Sequence, residues 1–159
     1  MNISFNWLNE FLIIDLKIEE VSEILTDIGL EVEGISDYEE LKGGLKGLVV
    51  GHVIECKKHP NADRLKLTKV DIGDEILQIV CGAPNVDVDQ KVVVAKVGTT
   101  LFPLNNDQFK ITKSKIRGEI SQGMICAEDE IGVGNSHDGI IILENKVKKG
   151  TKVSNLYSN

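Results

Sequence analysis

Cations gather around one proline turn. Lys57 and Lys58 precede His59-Pro60-Asn61-Ala62-Asp63, and Arg64, Lys66 and Lys69 follow, five bases against one acid. Proline presets the second position of a turn, and Asn and Asp side chains bond their own backbone. In a strand leaving that turn, Arg64, Lys66 and Thr68 share one face, and Leu65 and Leu67 share the other. The stretch KITKSKIR, residues 110–117, repeats the pattern, with Lys113, Lys115 and Arg117 on one face and no acid between them. Two basic strand faces suit an anionic polymer. Each cation set on a phosphate displaces condensed counterions, so such binding weakens steeply with salt. Solvated lysine on exposed strand faces, which keeps edges from pairing with other chains, is the bland alternative.

The aromatic residues narrow the ligand. Beyond residue 41 they are Phe102, Phe109 and Tyr157, and none lies among the bases. Single-strand binders usually interleave cations with aromatic platforms. Recognition of the backbone and shape of a structured RNA fits this pattern better.

No constellation for catalysis stands out. Glu128, Asp129 and Glu130 are consecutive. On a helix such neighbours diverge and cannot converge on a metal. Acids in a helix's first turn, favourable to its dipole, are the expectation. Ser136-His137-Asp138 holds the residue types of a hydrolytic triad, but adjacent residues cannot form the relay, so a turn is expected there. KGGLKGLVVG and GVGN lack the phosphate-loop and dinucleotide spacings. His52 alternates within a strand and reads as structural. Cys56, Cys81 and Cys126 are too far apart for a metal motif and odd in number. They are expected to be reduced, with Cys81 and Cys126 buried. No catalytic residue, metal site or cofactor is therefore assigned within these 159 residues.

The elements that must position the bases come next. Residues 18–28 place Ile18, Val21, Ile24, Leu25 and Ile28 at helical spacing, and Gly29 suits the left-handed residue past a helix end. Ser4 is a plausible cap for a short helix carrying Trp7, Leu8 and Phe11. LEVEGI, 30–35, alternates like a short strand. This 1–40 segment, small and α/β, carries eleven acids and one base, a charge of −10. The chain totals −7, which leaves +3 for the other 119 residues. An acidic leader thus masks a mildly basic main domain. After a glycine-rich join the period becomes two, with strands expected at 48–56, 64–70, 75–81, 91–97, 110–117, 123–126 and 139–144. Short strands with close-spaced turns argue for a mainly β, small closed barrel over 41–151. Residues 152–159 begin a further segment. No apolar run approaches the roughly 20 residues of a membrane span, and no signal peptide opens the chain. A cytoplasmic protein without membrane contact is expected.

Four motifs occur in order: HPNADRLKLTKVDIG, LQIVCGAPNV, KITKSKIRGEISQGMIC and HDGIIIL. Together, over residues 48 to 150, they resemble the tRNA-binding domain shared by several aminoacyl-tRNA synthetases and free-standing tRNA cofactors. That domain is an oligonucleotide-binding (OB) barrel of five strands with extra strands. SFNWLNEFL followed by ILTDIGLEVEGI resembles the start of the bacterial phenylalanyl-tRNA synthetase β chain, and CGAPN is closer to that version. The resemblance implies an N-terminal piece of a longer β chain. It also implies partners: tRNA, a catalytic α chain and the rest of the β chain in an (αβ)₂ enzyme that uses ATP and Mg²⁺. The RNA-facing positions it implies are Lys57, Lys58, His59, Asn61, Arg64, Lys66, Asn85, Lys113, Lys115, Arg117 and Ser121. Arg64, Lys66, Lys113, Lys115 and Arg117 would meet phosphates. Asn61, Asn85 and Ser121 would bond sugar, phosphate or a base edge. Two other roles stay open: an assembly module that touches no RNA, and a free-standing tRNA-binding cofactor.

Overall fold

The computed structural model describes residues 1–36 and 41–157. The boundary expected after residue 40 lies outside them, as do Ser158 and Asn159. The chain falls into two compact units, Met1–Tyr38 and Glu39–Asn159.

In the first unit, helix α1 (Phe5–Phe11) begins where Ser4 Oγ accepts the Trp7 N–H at 3.3 Å. Helix α2 (Ile18–Asp27) begins with the Glu20 carboxylate accepting the Lys17 N–H. Gly29, at φ +95°, ends it as the sequence predicts, and the Leu30 N–H bonds Leu25 O. No residue of either helix is buried. Trp7 and Phe11 meet edge to face with centroids 5.0 Å apart. LEVEGI is not a strand. Alternation alone does not make one, and the described residues of this unit offer no ladder for it to join.

The second unit is mainly β. Its strands are β1 (Leu48–His59), β2 (Ala62–Asp71), β3 (Ile76–Cys81), β4 (Lys91–Lys96), β5 (Thr100–Leu101), β6 (Phe109–Lys110), β7 (Ser114–Ile116), β8 (Glu119–Ser121), β9 (Gly123–Ile125) and β10 (Ile142–Leu143). Two one-turn helices, α3 (Glu128–Ile131) and α4 (Ser154–Tyr157), complete it. Strand order is β10-β4-β1-β2-β3, antiparallel throughout, and β9 also pairs with β4. The Gln122 N–H donates to Gln78 O at 2.8 Å, and Gln122 Oε1 accepts the Gln78 N–H, so the chain before β9 is tied to β3. The sheet thus closes almost fully into the five-strand barrel of an OB fold.

Strand β4 explains where the core sits. Val92, Val93, Val94 and Ala95 are all fully buried. Val92 and Val94 join Val53, Val70, Ile79 and Ile125 inside the barrel. Val93 and Ala95 face Val50, Leu101, Ile131 and Val153 in a second apolar cluster. An alternating strand buried on both faces reads as continuous Val and Ala, as KVVVAK does. Cys81 and Cys126 are buried and Cys56 half-buried, all free thiols, and burial pushes each above its ordinary pKa.

Residues 150–153 lie along β1. The Val50 N–H bonds Thr151 O, the Val153 N–H bonds Leu48 O, and Val49 bridges Lys152. Nearby, Lys149 Nζ lies 2.5 Å from Asp71 Oδ2. The Lys149 ammonium first, and then the Gly73 N–H, hold the Asp71 carboxyl below its ordinary range. A carboxylate held low stabilises the fold above its unfolded pKa, and that contribution is lost as pH falls through the folded value. Asp71→Asn should therefore lower the melting temperature at pH 6. The gap from the unsubstituted chain should close below about pH 4. Thermal melts at several pH values check this.

Candidate nucleic-acid interface

Two hairpin tips meet at one end of the barrel. The first is the turn between β1 and β2, which the fold shortens to Pro60 and Asn61, with His59 opposite Ala62. The second joins β7 to β8 through Arg117 and Gly118, at φ +51° and +97°. Positive φ at both central residues is the turn whose twist matches paired strands. It also ends the strand expected at 110–117. Lys110 closes β6, residues 111–113 lie in no strand, and Arg117 is a turn residue rather than a strand residue.

His59 pins the tips together. It is 4% exposed. Its Nδ1 accepts the Asn61 N–H at 3.0 Å, so the ring proton belongs on Nε2, which donates to Ile116 O at 3.0 Å. Asn61 Nδ2 donates to Arg117 O at 3.2 Å. The segments carrying Lys57, Lys58 and Arg64 and those carrying Lys115 and Arg117 therefore share one junction.

Strand β2 turns the expected face around. Thr68 and Val70 are fully buried, and Thr68 Oγ1 donates to Ile79 O at 2.8 Å inside the barrel. Leu65 and Leu67, on the other face, are half-buried. A threonine whose hydroxyl bonds a carbonyl is buried as readily as valine. Lys66 follows the inner face to the barrel's end. Its ammonium donates to Val86 O at 2.6 Å and Pro84 O at 3.4 Å. Lys66 is thus a strap on the loop after β3, not part of an exposed basic face.

Two further expected positions bond backbone within the unit, the first of them while staying exposed. Asn85 Nδ2 donates to Ile140 O, and Asn85 Oδ1 accepts the Ile140 N–H, both at 3.0 Å. Ser121 is buried, its hydroxyl accepting the Val80 N–H and donating to Gly123 O, both at 3.1 Å. Lys57 is exposed but ion-paired with Glu55, which also binds Lys69. Lys57 and then Lys69 lower the Glu55 pKa. Lys58, Arg64, Lys113, Lys115 and Arg117 are exposed and enter no ion pair among the described residues.

Beside the junction runs a groove of about 530 Å³. Ile116, whose carbonyl holds His59, forms part of its wall with Pro84, Phe109, Lys110, Ser114 and Met124. Sequence reasoning set Phe109 aside as lying off the basic runs. Its neighbour Lys110 was the signal available. At the far rim Asp129 Oδ1 lies 3.0 Å from His137 Nδ1 and raises its pKa. Glu130 caps the first turn of α3 by accepting the Ala127 N–H at 2.7 Å, as acids in a first turn are expected to do. Among the described residues, no group of three His, Cys, Asp or Glu side chains could hold a metal ion. None of the described helices is long and apolar enough to cross a membrane.

The model of a family described as a putative tRNA binding domain matches residues 48–152. The chain belongs to this family. The phenylalanine–tRNA ligase beta subunits of Bacteroides fragilis and Porphyromonas gingivalis are each 54% identical to it over 99% of its length. That of Halalkalibacterium halodurans is 50% identical over 95%. The chain spans 19% of each of these relatives. The match covers both hairpin tips, the Lys66 strap and the groove, so the whole candidate interface lies within the family's domain.

Proposed function

We propose that this chain is the non-catalytic tRNA-contacting module of a phenylalanine–tRNA ligase β subunit, with RNA phosphates resting on the junction of the two hairpins. One observation carries the reading: His59 and Asn61 lock together two tips that present Lys58, Arg64, Lys115 and Arg117 without acid partners among the described residues. Lys113 and Lys57 extend that surface, Lys57 through a shared Glu55. On this reading the cytoplasmic (αβ)₂ enzyme performs its ATP- and Mg²⁺-dependent chemistry in the α chain, and this barrel supplies RNA contact. Affinity for tRNA measured by fluorescence anisotropy should fall as salt rises, with log K losing about 0.7–0.9 per tenfold salt for each phosphate held.

The internal bonds of Lys66, Asn85 and Ser121 favour a second reading, in which the barrel serves subunit assembly and touches no RNA. Salt-independent or absent tRNA binding would select it.

Arg117 offers a finer test. A non-glycine residue in the left-handed region costs roughly 1–2 kcal/mol, and asparagine tolerates that region better than arginine. The Arg117 side chain is exposed and enters no ion pair among the described residues, so on this reading its partner is an RNA phosphate. Arg117→Asn should leave the melting temperature equal or slightly higher. It should weaken tRNA binding several-fold and lower the salt slope by about 0.7–0.9.

A further inference from the structure

We propose that the groove beside the hairpin junction binds one unpaired nucleobase of the RNA, stacked on Phe109. The inference rests on the tRNA-contacting reading above and adds a demand that the RNA be single-stranded at this point.

Four features point there. The groove, at about 530 Å³, falls in the range of about 300–1,000 Å³ that takes small flat ligands. Phe109 shares its lining with the apolar residues Pro84, Ile116 and Met124. Phe109 is 40% exposed, which leaves ring surface open to a stacking partner. Polar residues line it too: Thr112 and Ser114, both exposed, follow the end of the β6 ladder.

The charge pattern favours a nucleotide over an apolar peptide. Lys110 lies on the lining, and Lys115 and Arg117 flank Ile116 in the chain. The acids lie toward the other end of the lining: Glu130 accepts the Ala127 N–H and keeps its charge, and Asp129 pairs with His137. A phosphate held by the hairpin cations would leave the next nucleotide over the groove. Stacking of a base on an aromatic ring needs no particular sequence, because every base has a π-face.

The chain contains two methionines, Met1 and Met124, and Met124 lines the groove. With methyl-labelled methionine, titration with a single-stranded RNA 12-mer should move the Met124 signal and leave Met1 in place. A 12-bp RNA duplex should leave both unmoved. Phe109→Ala should weaken the single strand by about fivefold or more and leave the duplex alone, and Phe109→Tyr should restore the single strand. A Met124 signal unmoved at saturating single strand overturns the groove assignment. So does equal single-strand affinity in the Phe109→Ala chain, or a shift caused by a hydrophobic heptapeptide but not by RNA. If charge reversal at Lys113, Lys115 and Arg117 weakens RNA binding while Phe109→Ala does not, only the groove assignment falls. If neither RNA binds in a salt-dependent way, the tRNA-contacting reading falls with it.

Discussion

Replacing Lys113, Lys115 and Arg117 together by glutamate should weaken tRNA binding roughly a hundredfold at about 0.1 M salt. Each phosphate held by a cation adds about 0.7–0.9 log units per decade of salt. Releasing three phosphates, one decade below 1 M salt, therefore costs about two to three decades of affinity. The salt slope should drop by about 2–3 at the same time. All three side chains are exposed and enter no ion pair among the described residues, so replacing them leaves the core and the His59 junction intact. Anisotropy with labelled tRNA at several salt concentrations measures both quantities. Identical binding by the two chains would reject the basic junction and leave assembly as the barrel's role. A uniform loss across different tRNA species is expected, since backbone contacts position without reading sequence.

The largest expected effect on stability is at Gly51. It is buried in β1, opposite Val92. A Cβ there would fall against Val70 Cγ1 and lie 2.7 Å from Val94 Cγ2. Both valines are fully buried in the barrel core and have nowhere to move. Gly51→Val should cost about 3 kcal/mol, the upper end of overpacking, and lower the melting temperature by roughly 10 °C. Gly34→Val is the control, because nothing lies within 4 Å of a Cβ built there. Urea denaturation of both variants tests it. If the Gly51→Val chain melts with the unsubstituted one, this crowding account of the core is wrong.

Much of the barrel was legible from period and punctuation. The strands expected at 48–56, 64–70, 75–81 and 91–97 all form, the first two longer than expected. Gly29 and the acids of α3 behave as helix-end chemistry requires. Three things were not legible, each for a physical reason. The inner face of β2 was missed because Thr68 is polar in sequence, yet its hydroxyl is satisfied by a carbonyl across the strand pair. The end of the expected 110–117 strand was missed because Arg-Gly is a rarer form of the turn that Asn-Gly usually makes, and its break at 111–113 carries no Gly or Pro to mark it. The expected strand at 139–144 shrinks to Ile142–Leu143, because that pair meets the edge of β4 only at Val92 and Lys91. The expected RNA-facing positions came from motif resemblance, which marks where a family keeps residues but not whether they face ligand or brace a loop. Ser121 is buried with its hydroxyl held by Val80 and Gly123, and Asn85 clamps Ile140 while staying exposed.

Strand β4 has a further consequence. Because its valines fill the barrel on one side and meet Val50, Leu101 and Val153 on the other, neither layer can peel away without wetting the strand they hold in common. The 39–159 unit should therefore lose its structure in one step, with the amides of 92–95 the last to trade hydrogen for deuterium. Any RNA-holding wall assembled from its hairpins then inherits the rigidity of that shared spine, and needs no hinge of its own to stay in place.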